Sequence, residues 1–180
     1  MDAEAAALAR EMKDRQEIYD CIMRYCRGID RLDRELLLSA YHPDAIDDHG
    51  STYIGGVEGF ADAALALHST YQEFTQHHIT NHRCELDGDT AHCESYYLFR
   101  CINKAAPWYN VSSGRYLDRF EKRDGRWAIA ERICLVEARD EIWGPNGNDD
   151  NTAYVPATRD RSDPSYQRPL KIDRSRFTAD

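Results

Sequence analysis

Seven histidines occur in the 180-residue chain, and three of them crowd into the run QHHITNH as His77, His78 and His82. Imidazole holds both its acid and its base form within reach of neutral pH, and it is also a common metal ligand. The metal option fails on spacing. The run ends at a hairpin signal and holds Ile79, Thr80 and Cys84, which predicts a strand. On a strand His78 and His82 share a face but stand about 13 Å apart, too far to share one ion, and His77 and His78 point to opposite faces. His42, His49 and Asp48 could add ligands only from elsewhere in the chain. No metal and no cofactor is expected. The alternation is more informative. It sets His77, Ile79 and Asn81 on one face and His78, Thr80 and His82 on the other. A histidine on the helix-covered face, beside a carboxylate from the first helix, would be a general base with its orienting partner. Asp30 is the carboxylate so placed, because it follows the apolar stripe of that helix four residues after Cys26.

The elements that must position this pair can be read from periodicity. Residues 4–31 form the first helix, with Ile18, Ile22, Tyr25 and Ile29 at helical spacing and Gly28 weakening the last turn. DRELLLSAY makes a short second helix with Asp33 as N-cap and Pro43 beyond its end. HPDAIDDHGSTYIGG is rich in turn formers, with a short strand near Thr52–Ile54. A third helix runs from Val57 to Phe74, with Phe60, Ala64, Leu67 and Tyr71 on one face. The period then changes to two. Strands are expected at His77–Leu86, Thr90–Asn103, Gly114–Lys122 and Trp127–Val136, with tight turns at Asp87-Gly88-Asp89 and Asp124-Gly125. Helices followed by an antiparallel meander define an α+β domain over residues 1–138. Residues 139–180 are rich in Pro, Asp, Asn and Arg and have no period. They read as an extension that packs on the domain or on a neighbouring subunit, with Tyr154, Tyr166 and Phe177 as its docking aromatics.

Composition bounds the partners. The formal charge of −9 argues against nucleic acid and anionic membrane, both of which reward a basic patch. No apolar run approaches a membrane span, and the charged N-terminus lacks the apolar centre of a signal peptide, so the expected location is cytoplasmic. The six cysteines form no CxxC pair and sit in apolar patterns, where a reduced Cys acts as a small hydrophobe. There is no phosphate-binding glycine loop and no GxSxG elbow. Eleven Tyr, five Phe and three Trp are more rings than a solvent-facing scaffold needs, and they suit a small-molecule pocket.

Four stretches carry a family resemblance: CIMRYCRGIDRLDRELLLSAYHPDAI, the glycine-flanked helix, TQHHITNHRCELDGDTAHCESYY and GRYLDRFEKRDGRWAIAERICLV. Together, over about residues 10–138, they resemble the SnoaL-like branch of the nuclear transport factor 2-like superfamily. The resemblance implies a cystatin-like conical barrel, in which three N-terminal helices pack on a strongly curved mixed sheet around a deep apolar pocket. It also implies a homo-oligomer, dimer or trimer, because the outer sheet face is often covered by another subunit. Enzymes of this branch include dehydrochlorinases, dehydratases, polyketide cyclases, isomerases and lyases that release formaldehyde, several of which use an Asp–His pair without metal. By alignment the family's Asp falls on Asp30 within GID, its His on His77, and its pocket Arg on Arg132, seven residues after Gly125. The dehydrochlorinase Lys falls on Tyr25, a dehydratase-like replacement whose hydroxyl could hold a substrate oxygen.

The expected activity is therefore that of a cofactor-independent lyase acting on a small hydrophobic, aromatic substrate, by loss of water or formaldehyde or by isomerisation. His77 would be the base, Asp30 its orienter, and Arg132 with a Tyr would stabilise the developing oxyanion. Tyr25, Tyr53, Tyr97, Phe99 and Tyr116 are the expected pocket-lining rings. Arg132 alternates with Glu131, so only one of them faces the pocket. The resemblance extends to two non-catalytic alternatives, the β subunit of a ring-hydroxylating dioxygenase and a small-ligand-binding module. An Asp30–His77 hydrogen bond inside a closed pocket separates the enzyme from both.

Overall fold

The structure, a computed structural model, describes residues 2–144, 155 and 157–171. The chain divides into two units, residues 1–146 and 147–180. In the first, helix α1 (Ala3–Asp30) starts where the Asp2 carboxylate accepts from the Ala5 amide at 2.7 Å. Its stripe of Ile18, Cys21, Ile22, Tyr25 and Ile29 is buried, and each fully buried isoleucine contributes about 1.5–3 kcal/mol. Asp14, nearer the N-terminus, accepts from Trp127 Nε1 at 2.9 Å and Lys122 Nζ at 2.7 Å, which fixes the helix to the far hairpin of the sheet.

Helix α2 (Arg34–Leu38) is capped by Asp33, as its sequence predicts. It packs so closely on α1 that a Cβ at Gly28 would lie 2.5 Å from the Leu37 backbone nitrogen. The glycine that weakens the helix turn is thus what lets α2 dock. Gly28→Ala should destabilise the fold by about 1–3 kcal/mol, the range for overpacking, read as a lowered midpoint in urea denaturation.

The sequence places turns at HPDAIDDHG, but residues Tyr41–Asp48 form strand β1. Its register with Arg126–Ile142, strand β6, is parallel: Asp47 lies opposite Arg132 and Asp48 opposite Ile133. Pro43 falls in the stretch where that register slips, so its missing N–H interrupts no ladder. A short β2 (Ile54–Gly56) pairs with β1 and leads into α3 (Val57–Tyr71), which ends three residues short of Phe74. The meander follows as β3 (Gln72–Asp87), β4 (Thr90–Asn103), β5 (Tyr109–Arg123) and β6. Asp124 and Gly125 both take positive φ, as a two-residue turn of the hairpin type requires. The strand order is β2-β1-β6-β5-β4-β3, a curved mixed sheet that stays open between β2 and β3 rather than closing into a barrel.

One irregularity matters for the site. The β3–β4 register slips between Ile79 and His82, with Ile79 opposite Tyr97 and His82 opposite Ser95. Two residues, Thr80 and Asn81, thus oppose Tyr96 alone. The strict alternation read from the sequence fails there. Thr75, His77 and Ile79 face the helices, and beyond the bulge His82, Cys84 and Leu86 do, while Asn81 is exposed. Strand β6 runs to Ile142, past residue 138.

The described part of the second unit contains a single 3-10 turn, Pro164–Tyr166, whose N-cap Asp163 accepts from Ser165 N at 3.0 Å. Arg161 lies 4.9 Å from the Tyr166 ring centroid. Tyr154 and Phe177, the other expected docking aromatics, lie outside the described residues. No helix among the described residues is long and apolar enough to cross a membrane.

Candidate active site

Asp30 is the last residue of α1, and β3 crosses beside it. The Asp30 carboxylate accepts from His77 Nδ1 at 2.7 Å, from the His77 backbone N–H at 2.9 Å and from Thr75 Oγ1 at 2.9 Å. Burial works against its charge, yet the bond to His77, that ring's charge, the backbone amide and Thr75 together hold the carboxyl below its usual value of 3.8. With Nδ1 committed to the carboxylate, Nε2 is left as the imidazole nitrogen that can meet a ligand. The geometry is that of a base with its orienter.

The pair stands in the wall of a cavity of about 260 Å³. An apolar cavity of about 150 Å³ holds benzene, so this one has room for a substituted ring. Tyr25, Tyr97, Phe99 and Tyr116 line it, together with His77. Tyr97 and Tyr116 stack with centroids 4.6 Å apart, and Phe99 lies 4.7 Å from the His77 ring. Tyr53 does not line it. Its ring packs on Phe60 and its hydroxyl covers Gly59, where a Cβ would come within 2.0 Å. The neighbouring Thr52 reaches the cavity instead.

Arg132 is also placed differently from the sequence expectation. Its side chain is 0% exposed and is paired bidentately with Asp118, Nε–Oδ1 at 2.7 Å and Nη2–Oδ2 at 2.8 Å. The guanidinium carbon sits 4.2 Å from the centroids of both Tyr25 and Tyr116, so these rings separate it from the cavity. It faces inward and Glu131 outward, as alternation requires, but it underlies the pocket and does not line it.

A second histidine–carboxylate pair was hidden by the turn-like composition of β1. Asp47 and His49 share a face, and His49 Nδ1 donates to Asp47 Oδ1. Tyr41 donates to the other carboxylate oxygen at 2.7 Å, and His49 Nε2 lies 3.1 Å from the Tyr25 hydroxyl. Burial disfavours the His49 cation, but the hydrogen bond to Asp47, the Cys134 thiol and the Asp47 charge raise its pKa to about 9. These contacts favour the imidazolium form of His49. Burial drives the Tyr25 hydroxyl well above its usual 10 despite the Arg132 charge, so it remains a proton donor. His68, from the last turn of α3, completes the polar wall, its ring 6.0 Å from that of His77. The signal for the missed pair was the period-two spacing of Ala45, Asp47 and His49. His42 instead meets Glu121 O, and Asp48 caps the Gly50 amide.

Among the described residues, one group of His, Cys and carboxylate side chains is close enough to share an ion, His82 with Cys84 and Cys93, and none of it lines the cavity.

An open, curved α+β sheet holding such a pocket against three helices defines a cystatin-like fold, and solved structures agree. A protein described as a scytalone dehydratase from Novosphingobium aromaticivorans DSM 12444 superposes with a TM-score of 0.67 at 18% identity, over 78% of this chain and 97% of that one. Hexachlorocyclohexane dehydrochlorinase LinA-type3 from Novosphingobium barchaimii LL02 gives 0.69 at 19%, over 81% and 97%. A Nostoc punctiforme PCC 73102 protein with a cystatin-like fold gives 0.58 at 24%, over 69% and 91%. The chain belongs to the SnoaL-like domain family, whose model matches residues 10–133. No curated protein matches the sequence.

Proposed function

We propose that the protein is a dehydratase-type lyase that needs no cofactor and acts on a small, ring-bearing hydroxylated molecule. The observation that carries this is the Asp30–His77 hydrogen bond in the wall of an aromatic cavity. His77 Nε2 takes a proton from substrate carbon, and the carboxylate stabilises the imidazolium that forms. Loss of water also needs a proton for the departing hydroxide. The His49 imidazolium supplies it through Tyr25, whose ring lies 6.2 Å from that of His77, close enough for base and acid to reach neighbouring substrate atoms. Arg132 acts as a positioning residue beneath Tyr25 and Tyr116 and not as an oxyanion contact. The names of two structural relatives, a dehydratase and a dehydrochlorinase, both describe eliminations.

The test is proton abstraction itself. Cyclic ketones and hydroxylated aromatics with an acidic C–H are incubated with the protein in D2O, and carbon-bound deuterium and loss of water are followed by mass spectrometry. Exchange or elimination that disappears in His77→Ala supports the reading. Tight binding of these compounds with neither exchange nor turnover would make the protein a ligand-binding module.

The acid side has its own signature. Turnover should fall as the pH rises through about 9, where His49 loses its proton. Both His49→Gln and Tyr25→Phe should lower kcat and abolish that alkaline limb in a pH–rate profile. Because the folded pKa lies above 6.5, the His49 cation also stabilises the fold fully below that pH. This contribution fades as the pH rises from 6.5 to about 9.

A further inference from the structure

The bulge at Thr80–Asn81 has a consequence at the other end of β3. By turning His82 and Cys84 to the helix-covered face, it sets both beside Cys93, which is the direct cross-strand partner of Cys84 on β4. The ligand atoms of these three side chains all lie within 4.8 Å of one another. A tetrahedral zinc ion with Zn–S of about 2.3 Å and Zn–N of about 2.0 Å needs ligand separations of about 3.4–3.8 Å. Contraction by about 1.4 Å at most would close the cage, through χ1 adjustments at the two cysteines.

The histidine is prepared for such a role. His82 Nδ1 is hydrogen-bonded to Ser95 Oγ at 2.9 Å, and Ser95 is fully buried. Its Nε2 is buried and has no hydrogen-bond partner. An unpartnered buried imidazole nitrogen is costly, and anchoring the other nitrogen is how proteins orient a metal-binding histidine. The Tyr19 ring of α1 packs edge-on against His82 at 5.5 Å, shielding the cluster. Arg15, also on α1, donates to the Cys84 carbonyl oxygen at 2.7 Å and brings a positive charge towards the sulfurs.

We infer that His82, Cys84 and Cys93 form a binding site for one thiophilic divalent cation of the zinc class, held by two thiolates and His82 Nε2 with the fourth position open to water or a small anion. Two sulfurs and one imidazole select zinc-like ions over magnesium or calcium. The site belongs to the β3–β4 hairpin and α1, and is independent of the proposed lyase chemistry.

The test uses the full-length protein, reduced and freed of metal by dialysis, then titrated with Co2+ and with Zn2+. We expect one equivalent of Co2+ to give thiolate-to-cobalt charge-transfer absorption, which Zn2+ displaces, and Zn2+ to raise the thermal midpoint. Cys84→Ser/Cys93→Ser should lose both signals. Ser95→Ala should weaken binding by about tenfold to a hundredfold, the range for loss of a histidine anchor. If the double variant does not fold, His82→Gln serves in its place and should lose the tight site. Absence of the charge-transfer band in the reduced protein, or its persistence in the cysteine or His82 variants, would overturn the assignment.

Discussion

Replacing His77 by alanine should lower kcat by about 10²- to 10⁴-fold on any substrate found by deuterium exchange, the range that a positioned general base contributes. Asp30→Asn should come close to the same loss while leaving the fold intact. The carboxylate accepts from His77 Nδ1, from the His77 amide and from Thr75, so its two oxygens are both committed. An asparagine oxygen can retain part of this set, but its NH2 group is a donor. Facing Nδ1, it favours the tautomer that carries its proton on Nε2 and removes the lone pair that serves as base. Because the two residues act as one unit, the double variant should be little worse than either alone. Equal turnover by wild type, His77→Ala and Asp30→Asn would remove the dyad from the mechanism. The contribution of the Asp30 charge to stability should change with pH only in acid. The folded Asp30 carboxyl lies below its usual 3.8, so its contribution is present above that pH and is lost as the pH falls through the folded value.

The largest stability effect is expected away from the cavity wall, at the Arg132–Asp118 pair. Both side chains are fully buried and the contact is bidentate. Asp118→Ala leaves the guanidinium in an interior of rings without its counter-charge, and should cost about 3–5 kcal/mol. For a chain of this size each kcal/mol lowers the thermal midpoint by roughly 2–4 °C, so the loss is easily read. Removing both charges together, as Arg132→Met/Asp118→Leu, should recover most of it, because neither charge is then stranded. A single Asp118→Ala that costs less than about 1 kcal/mol in urea denaturation would mean that the pair is not sealed from water. The double variant should nevertheless turn over slowly, because Arg132 opposes the burial effect on the Tyr25 hydroxyl and supports the Tyr25 and Tyr116 rings.

How far these features were legible follows from their range in the chain. Helix α1 and the β3–β6 meander declare themselves through local periodicity, and Asp33 through its capping position. Asp30 could be singled out in advance because it ends a strongly amphipathic helix, but strand alternation left His77 and His78 on opposite faces without saying which one meets it. The resemblance to SnoaL-like proteins was what pointed to His77. Strand β1 was illegible because His, Pro, Asp and Gly favour turns locally, whereas its ladder is supplied by β6, about 85 residues later. With β1 went the Asp47–His49 pair, the second half of the proposed machinery.

Arg132 shows the same limit from another side. Alternation predicted correctly that it turns inward, but inward could mean towards a ligand or towards a buried carboxylate. Asp118, Tyr25 and Tyr116 decide between these by enclosing it. The composition of the chain by itself determined an α+β domain rich in rings, with a histidine and an aspartate at positions able to meet. Only the tertiary structure decided which rings face the cavity, which charges are sealed beneath it, and that a bulge turns His82 and Cys84, together with Cys93, to the helix-covered face. The physical reason is that helical and strand periods are set by nearest neighbours along the chain, whereas strand partners, register slips and charge burial are set by residues distant in sequence.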